Sequence, residues 1–274
     1  MNNNEDVDVF IKHLPAFKVW YVVVLSYLLQ FLLFVFFIIS FGYVSYNFLP
    51  GVIVVQIIVA FFGTLPYRYM TKNSEKIRES YLKKYSQLAV QKLWFHYELY
   101  TIPFLSSSLY FPLLLINYDF IPSIVTHQPH FLTNSLFPLY TSIPIGIVIL
   151  ILGIRIGRPS GGFDANVESY MYIIYPEKGK LISDGTYQYI RHPRYLGRGV
   201  IAFGLAIIAN NILALLVAAI HTVAFWSLIP SEEYELARRF GDKFGSYTRR
   251  VPALIPKYSE WKKFIRYIFY LQKN

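Results

Sequence analysis

Residues 200–230 read VIAFGLAIIANNILALLVAAIHTVAFWSLIP, and this stretch contains no Lys, Arg, Asp or Glu. Asn210-Asn211 stands near its middle, and adjacent asparagines favour a turn because their short polar side chains tolerate left-handed backbone. Neither half is long by itself, so two short helices folded back on each other fit better than one long helix. Arginines flank the stretch on both sides, which keeps both ends in the cytosol. The sequence predicts a helical hairpin over 196–230.

The rest of the chain has the composition of a membrane protein. It is 55% hydrophobic and only 15% charged, where soluble domains carry about 25% charged residues. The net charge is +10, yet no Lys or Arg occurs in 19–67, 93–154 or 199–237. Basic residues confined between apolar segments follow the positive-inside pattern, whereas nucleic-acid binders cluster them on an exposed surface. We therefore expect basic cytosolic loops beside membrane lipids and no nucleic-acid partner.

Apolar segments also precede the hairpin. They cover about 17–40, 48–66, 94–117 and 139–157. Each comes near the roughly twenty residues that cross the hydrocarbon core. The basic segment 68–92 repeats apolar residues at helical spacing, which predicts an amphipathic helix along the inner interface or a solvated linker helix. After the hairpin, a helix is expected from Ser231 to about Gly241, with acidic residues in its first turn.

These segments together define the expected fold class. It is an all-α, multi-span membrane bundle of about six transmembrane segments, the last two a helical hairpin, with cytosolic loops and a C-terminal helix. The alternation of apolar and basic segments predicts a multi-pass protein with both termini in the cytosol. The chain is expected to divide into residues 1–157, with four spans, and residues 158–274, with the hairpin and the cytosolic C-terminal region.

Two polar stretches flank the hairpin and resist a purely structural explanation. The first contains Gly185, Tyr187, Arg191, His192, Pro193, Tyr195 and Gly197, and the second contains Glu232, Glu233, Leu236, Phe240, Gly241, Tyr247, Arg249, Arg250, Val251 and Pro252. Each residue alone has a simpler explanation. The arginines could anchor the chain at the membrane interface, His192 could be a structural residue, and the glutamates could only favour the start of a helix. A hairpin brings its two ends together, however, so the stretches should meet at the inner membrane face. Together they favour a polar ligand pocket that opens to lipid.

Metal and thiol chemistry have no support in the composition. The chain has no cysteine, which excludes disulfides, thiolate ligands and a cysteine nucleophile. Its six histidines are scattered, and only His127 and His130 stand close together. A closed metal site needs three or four ligands, so none is expected.

The two polar stretches match a known pattern. KLISDGTYQYIRHPRYLG at 180–197 and EEYELARRFGDKFGSYTRRVPALIP at 232–256 resemble the paired motifs of the isoprenylcysteine carboxyl methyltransferase family. The resemblance covers 181–256, a little over a quarter of the chain, and a GGF element at 161–163 is placed against a Gly-x-Phe element of that family. Integral-membrane phospholipid methyltransferases share much of the same pattern.

This resemblance implies a binding site for S-adenosylmethionine, built by cytosolic loops and the last hairpin. It also accounts for the absence of a dinucleotide-type glycine motif. The cofactor-binding residues that it implies are Tyr187, Arg191, His192, Pro193, Tyr195, Gly197, Glu232 and Glu233. Arg191, Glu233 and Arg250 are the implied catalytic residues, with Arg249 or Arg250 steering an anionic methyl acceptor.

The resemblance also implies individual roles. Pro193 would begin the helix after the motif, Tyr195 would pack beside the cofactor, and Gly197 would let the cofactor approach the helix backbone. Glu232 and Glu233 would hold its cationic amino group or its ribose hydroxyls. The implied acceptor is a lipid or a prenylated small molecule or protein, which enters from the bilayer. A carboxylate acceptor needs no general base because it is ionised at neutral pH.

The sequence departs from the family pattern at three places. A family histidine is Gly179, a family tyrosine is Phe244, and the loop 157–180 does not align clearly. These departures leave the acceptor more open than the cofactor. The alternatives are a phospholipid amine N-methyltransferase with His192 or a glutamate as base, a sterol-reductase-like NADPH oxidoreductase, and a non-catalytic membrane protein. The sequence does not define an oligomeric state.

Overall fold

The computed structural model describes residues 20–46, 49–116, 132, 134–158 and 165–270. Every regular element within these ranges is a helix, which confirms the all-α fold class. The first residues of the expected span at 17–40, the GGF element at 161–163 and most of the loop after the third span lie outside the described residues.

The structure contains eleven described α-helices. They are α1 Trp20–Tyr46, α2 Leu49–Lys72, α3 Ser74–Tyr85, α4 Ala89–Tyr110, α5 Leu139–Gly157, α6 Ala165–Ile174, α7 Pro193–Ala209, α8 Ile212–Trp226, α9 Ile229–Phe240, α10 Asp242–Arg250 and α11 Trp261–Tyr270. Short 3-10 turns join several of them, at Ser86–Leu88, Phe111–Leu115, Pro176–Lys178, Gly185–Gln188 and Tyr258–Glu260.

The membrane-spanning part can be located by length and composition. Among the described residues, three helical stretches meet both criteria: Gly51–Lys72, Leu139–Gly157 and Ile212–Phe240. Shorter apolar helices occur at Tyr27–Phe37 and Pro103–Leu115. In the last long stretch the charged residues begin at Glu232, so its apolar part ends at Pro230. The chain is an integral membrane protein, and the count of six spans stays a prediction.

Helix α5 illustrates why this bundle needs a lipid environment. Val148, Ile151 and Ile154 are each about half exposed or more, and they lie along its outer side. A contiguous apolar surface of this kind marks a protein or membrane contact. Hydrocarbon removes the cost of exposing these side chains to water.

The predicted hairpin is formed by α7 and α8. Asn210 ends α7 with a φ of 65°, the left-handed conformation that asparagine tolerates. Asn211 caps α8 by accepting a hydrogen bond of 2.9 Å from the Ala214 backbone N–H. It also donates to the Leu115 carbonyl oxygen at 2.7 Å, which ties the turn to the end of the α4 segment.

Helices α5 and α7 approach each other through glycines. A Cβ atom built on Gly197 would lie 2.6 Å from the Gly153 carbonyl oxygen and 2.6 Å from the Gly157 nitrogen. One built on Gly204 would lie 3.0 Å from Leu150. Small residues at a membrane-helix interface let the two backbones pack closely, and this contact fixes the position of α7.

The helix expected over 68–92 is divided in the structure. α2 continues to Lys72, and α3 covers only Ser74–Tyr85. Ser86 has a φ of 48°, a left-handed conformation that interrupts helical hydrogen bonding before α4 begins. The basic segment is thus the end of one membrane helix, a short helix and the start of the next.

The helix expected from Ser231 begins earlier, at Ile229. Pro230 occupies its first turn, where a missing backbone N–H costs nothing. α9 ends at Phe240, as expected, because Gly241 has a φ of 50°. The C-terminal region adds α10 and α11, which the sequence did not predict.

Candidate functional site

The two polar stretches meet through their backbones. The Arg191 N–H donates to the Pro252 carbonyl oxygen at 2.9 Å, and the His192 N–H donates to the Ala253 carbonyl oxygen at 3.0 Å. The Tyr247 hydroxyl donates to the Tyr187 carbonyl oxygen at 2.6 Å. Segments on either side of the hairpin therefore form one structure beside the start of α7, as the sequence predicts.

Glu233 is the centre of a charged cluster. Its Oε1 atom accepts hydrogen bonds from Arg191 Nε at 2.9 Å and from Arg191 Nη2 at 2.6 Å. The same oxygen lies 2.9 Å from Nε2 of His192, a residue that is only 3% exposed. Arg191 Nη1 also donates to the Val251 carbonyl oxygen. These bonds hold the motif arginine and histidine against α9.

The charge state of Glu233 follows from these contacts. Glu233 lies beyond the apolar part of the last long stretch. The hydrogen bond from His192, and then the bonds and charge of Arg191, lower the pKa of its carboxyl against an opposing effect of burial. An ionised carboxylate only accepts hydrogen bonds, so His192 donates from Nε2. Glu233 is therefore a carboxylate at neutral pH whose Oε1 atom is already engaged by two partners.

Glu232 differs from Glu233 in having an available oxygen. Its Oε2 atom is buried and has no hydrogen-bond partner. It lies 3.7 Å from His192 Nδ1, beyond hydrogen-bonding distance. Tyr67 and Tyr195 line the same cleft as this carboxylate. A buried acceptor without a donor is costly unless a ligand supplies one.

Two clefts lie on either side of this cluster. The first cleft has a volume of about 880 Å³ and includes Leu181, Leu236, Phe240, Phe244 and Tyr247 in its walls. The second cleft has a volume of about 950 Å³ and extends toward the membrane helices between Thr101, Leu105, Phe225 and Leu228. The residues that line both are Tyr67, Tyr187, Arg191, His192, Arg194 and Glu232.

The expected site residues separate into groups. Tyr187, Arg191, His192, Tyr195 and Glu232 line one or both clefts. Glu233 lines neither and contacts the site through Arg191 and His192.

Three further expected residues line neither cleft. Pro193 begins α7, as expected, but lines neither cleft. Gly197 faces α5, because the space that its missing side chain leaves is occupied by the backbone of Gly153 and Gly157. Arg250 is exposed, and its Nε donates back to the Ser246 carbonyl oxygen of its own helix at 3.3 Å.

Several residues of the site were missed by the sequence reasoning. Tyr67 lines both clefts from the end of α2, far from the motifs in sequence. Its only local signal is its place directly after Pro66 at the cytosolic end of an apolar segment. Arg194, an unspecified position of the motif, also lines both clefts. Tyr247, by contrast, belongs to the second polar stretch of the sequence. It is buried, which raises the pKa of its phenol well above the ordinary value and keeps it a hydrogen-bond donor.

The departures from the family pattern have structural explanations. A Cβ atom at Gly179 would lie 2.8 Å from Nη1 of Arg239, so the arginine occupies the space that a side chain there would need. Glu235 pairs with that arginine from within the same helix. Phe244 is buried in an apolar cluster with Leu181, where a hydroxyl would need a partner.

No cluster of metal-ligating residues occurs in the described part of the chain. The site is thus built from arginine, histidine, glutamate and aromatic side chains.

Comparison with known proteins gives this geometry a context. Residues 143–243 match the model of the phospholipid methyltransferase family. The chain is 31% identical to the protein-S-isoprenylcysteine O-methyltransferase of Schizosaccharomyces pombe over 132 residues, which is 47% of this chain and 54% of that protein. It is 33% identical to protein-S-isoprenylcysteine O-methyltransferase B of Arabidopsis thaliana over 115 residues, which is 40% of this chain and 57% of that protein.

The resemblance to isoprenylcysteine methyltransferases is confirmed. A longer alignment joins the chain to protein-S-isoprenylcysteine O-methyltransferase A of Arabidopsis thaliana, at 25% identity over 195 residues, 67% of this chain and 98% of that protein. The chain spans only a little over half the length of the first two methyltransferase relatives. No solved structure matches it. The methyltransferase match at 143–243 contains α5, α7, α8 and α9, the helices around the charged cluster.

Proposed function

We propose that this chain is an integral-membrane methyltransferase. It transfers a methyl group from S-adenosylmethionine to a lipophilic acceptor at the cytosolic membrane face, in a reaction most like the carboxyl methylation of an isoprenylcysteine. The observation that carries this proposal is the shared wall of the two clefts, formed around His192, Arg194 and Glu232. One cleft is suited to a water-soluble donor and the other, which continues between membrane helices, to a lipophilic acceptor.

The residues of the first cleft fit S-adenosylmethionine. The buried Oε2 atom of Glu232 lacks a hydrogen-bond donor, and the amino group or the ribose hydroxyls of this molecule would supply one. Tyr187 and Tyr247 contribute aromatic surface for an adenine ring or for its ribose. The bound molecule would supply an electrophilic methyl group on a positively charged sulfur.

The protein's contribution to such a reaction is alignment. Glu233 fixes Arg191 and His192, which keeps the wall between the clefts in one arrangement. Holding two reactants in the right geometry lowers a barrier by about 7–11 kcal/mol, enough for a displacement that needs no covalent help from a side chain.

Acceptor chemistry separates the main alternatives. A carboxylate is nucleophilic at neutral pH without a base, whereas an ammonium group must first lose a proton. The match to the phospholipid methyltransferase family is the observation that favours an amine acceptor. In this structure His192 donates from Nε2 to Glu233, so its Nδ1 atom keeps the lone pair and would be the candidate base for an amine acceptor.

The positions of the site residues support a division of the chain into two parts. Residues 158–274 would form the catalytic core, and the spans of residues 1–157 would complete it through Tyr67 on α2. Both termini would lie in the cytosol, because the polar clefts open on the side where the basic loops gather.

A thermal titration of the detergent-purified protein tests the donor. S-adenosylmethionine should raise the melting temperature in a saturable way, and a hundredfold excess over Kd should add about 2.7 kcal/mol of stability. Glu232→Gln should weaken that response. Glu260→Gln is the control, because Glu260 lines neither cleft and its one salt bridge within the described residues is to Lys263, and it should leave the response unchanged. Stabilisation by NADPH alone would move the protein to the reductase class, and no response to either would remove the proposed pocket.

A further inference from the structure

Helix α11, the last described element, has one side packed against the protein and another side exposed. Its buried side chains Phe264 and Ile268 belong to a hydrophobic cluster to which α5 contributes. Trp261, Ile265 and Phe269 are 39%, 47% and 54% exposed. They stand four residues apart, so they form one stripe along the helix. A stripe of large apolar side chains on a surface marks a contact with another molecule or with lipid.

Basic side chains run along one edge of this stripe. With about 3.6 residues per helical turn, Lys262 and Arg266 follow Phe269 around the helix. Both are exposed, and neither forms an ion pair with a carboxylate in the described part of the chain. Lys263 pairs with Glu260 further round the helix. An apolar side with a basic edge is the pattern of a helix that lies in a membrane interface.

The contact between α11 and α5 places this helix at the membrane surface. Arg155 lies in the last turn of α5, and its Nη1 atom donates to the carbonyl oxygens of Ile268 at 3.2 Å and of Phe269 at 2.8 Å. One helical turn earlier on the same side of α5 is Ile151, which is 49% exposed and belongs to the outer apolar side of that helix. α11 is therefore joined to the lipid-facing side of α5 at the level where this membrane helix ends.

The buried side of α11 supports the segment directly before Arg191. Ile190 is fully buried in one cluster with Phe264 and Ile268. The Tyr189 ring meets the Phe264 ring at an angle of 68°, with 5.7 Å between their centroids. Whatever covers the exposed stripe is therefore one helix away from the proposed donor site.

We propose that α11 is an interfacial helix that docks on an anionic bilayer surface. Trp261, Ile265 and Phe269 would enter the interface, and Lys262 and Arg266 would bind anionic lipid head groups. The bilayer is the occupant because α11 is tied to the lipid-facing side of α5. Anionic lipids are favoured because the two cations lack carboxylate partners, and each basic residue near such a surface strengthens binding about fivefold. This inference concerns how the chain meets its membrane and does not depend on the methyl acceptor.

Quenching of tryptophan fluorescence by brominated lipid tests the docking on the full-length protein in nanodiscs. One set of nanodiscs contains phosphatidylcholine alone, and the other also contains anionic phosphatidylglycerol. In both, part of the phosphatidylcholine carries bromine in the upper acyl chain. Each protein is measured with and without Trp261→Phe, and the difference isolates the signal of Trp261 because the remaining tryptophans are common to both.

We expect brominated lipid to quench Trp261 strongly in anionic nanodiscs and less in neutral ones. The double variant Lys262→Gln, Arg266→Gln should weaken docking about thirtyfold, so its quenching in anionic nanodiscs should fall to the neutral level. The matched control is Lys76→Gln, Lys83→Gln, which removes the same charge from two exposed positions of α3. It should leave the Trp261 signal unchanged.

Three results would overturn the inference. Absence of Trp261 quenching in both kinds of nanodisc would show that the stripe does not meet lipid. Equal quenching in both would remove anionic lipid as the partner. Cross-linking between the α11 helices of two copies, with Trp261 protected from brominated lipid, would assign the stripe to self-association instead. If the double variant does not fold, the comparison of the two lipid mixtures on the wild type still decides.

Discussion

Replacing Gly197 with alanine separates a packing role from a ligand role. The new Cβ would lie 2.6 Å from both the Gly153 oxygen and the Gly157 nitrogen, closer than real Cβ contacts. These are backbone atoms, so the clash is relieved only by moving α5 away from α7. Overpacking of this kind costs about 3 kcal/mol at its upper end, and the better helix propensity of alanine returns about 1 kcal/mol. We expect a net loss of about 2 kcal/mol.

The assay is thermal unfolding of the purified protein, followed by titration with S-adenosylmethionine. A loss of about 2 kcal/mol corresponds to a fall in melting temperature of about 4–8 °C for a chain of this size. Gly245→Ala is the matched control, because its nearest neighbour would be Arg249 Nη1 at 3.8 Å and its backbone is helical. The control should be neutral or slightly stabilising.

The refuting result is specific. If Gly197→Ala melts like the control while its Kd for S-adenosylmethionine rises, Gly197 serves the cofactor and the α5–α7 contact has been misread. A lower melting temperature with an unchanged Kd supports packing.

Further predictions concern the charged cluster and its support. Glu233→Gln should lower the free energy of unfolding by about 2–3 kcal/mol. Breaking a buried ion pair costs about 3–5 kcal/mol, and the loss here should be near or below the bottom of that range because Glu233 is 26% exposed. An unchanged free energy of unfolding would contradict a stabilising role for the cluster. The lowered pKa of Glu233 means that its stabilising effect is present above the ordinary carboxyl pKa of about 4.3 and is lost as pH falls through the lowered value. The stability gap between wild type and Glu233→Gln should therefore shrink below about pH 4, and a gap that grew on acidification would refute this. Tyr247→Phe should lose about 1 kcal/mol with its hydrogen bond to the Tyr187 carbonyl, seen in denaturant unfolding, whereas no loss would mean that water replaces the bond.

The hairpin was predictable because its determinants are local. Asn210-Asn211 lies inside an uncharged stretch, and the turn forms where these residues stand. The meeting of the flanking stretches follows from the hairpin itself, since antiparallel helices return the chain to its starting side. Arg191 and Glu233 could therefore be placed together from sequence.

The remaining features depend on long-range packing. Tyr67 reaches the site because α2 ends beside α9, a contact that no local pattern reports. The motif predicts a ligand beside Gly197, whereas the structure places the α5 backbone there, because a glycine in a motif does not indicate which neighbour approaches it. Arg250 follows the motif closely in sequence, yet its helix turns it to solvent. The helix predicted over 68–92 is interrupted at Ser86, whose backbone is in the left-handed region. Local sequence rarely predicts that conformation for a serine.

Transfer of labelled methyl groups tests the proposed reaction most directly. Purified protein is incubated with methyl-labelled S-adenosylmethionine and an N-acetylated S-prenylcysteine, and the lipid product is then treated with alkali. Methyl transfer to the carboxylate gives an ester, so alkali should release the label as volatile methanol. Label that stays on the lipid after alkali, or a folded protein that binds the donor and transfers nothing to any carboxylate, would contradict it.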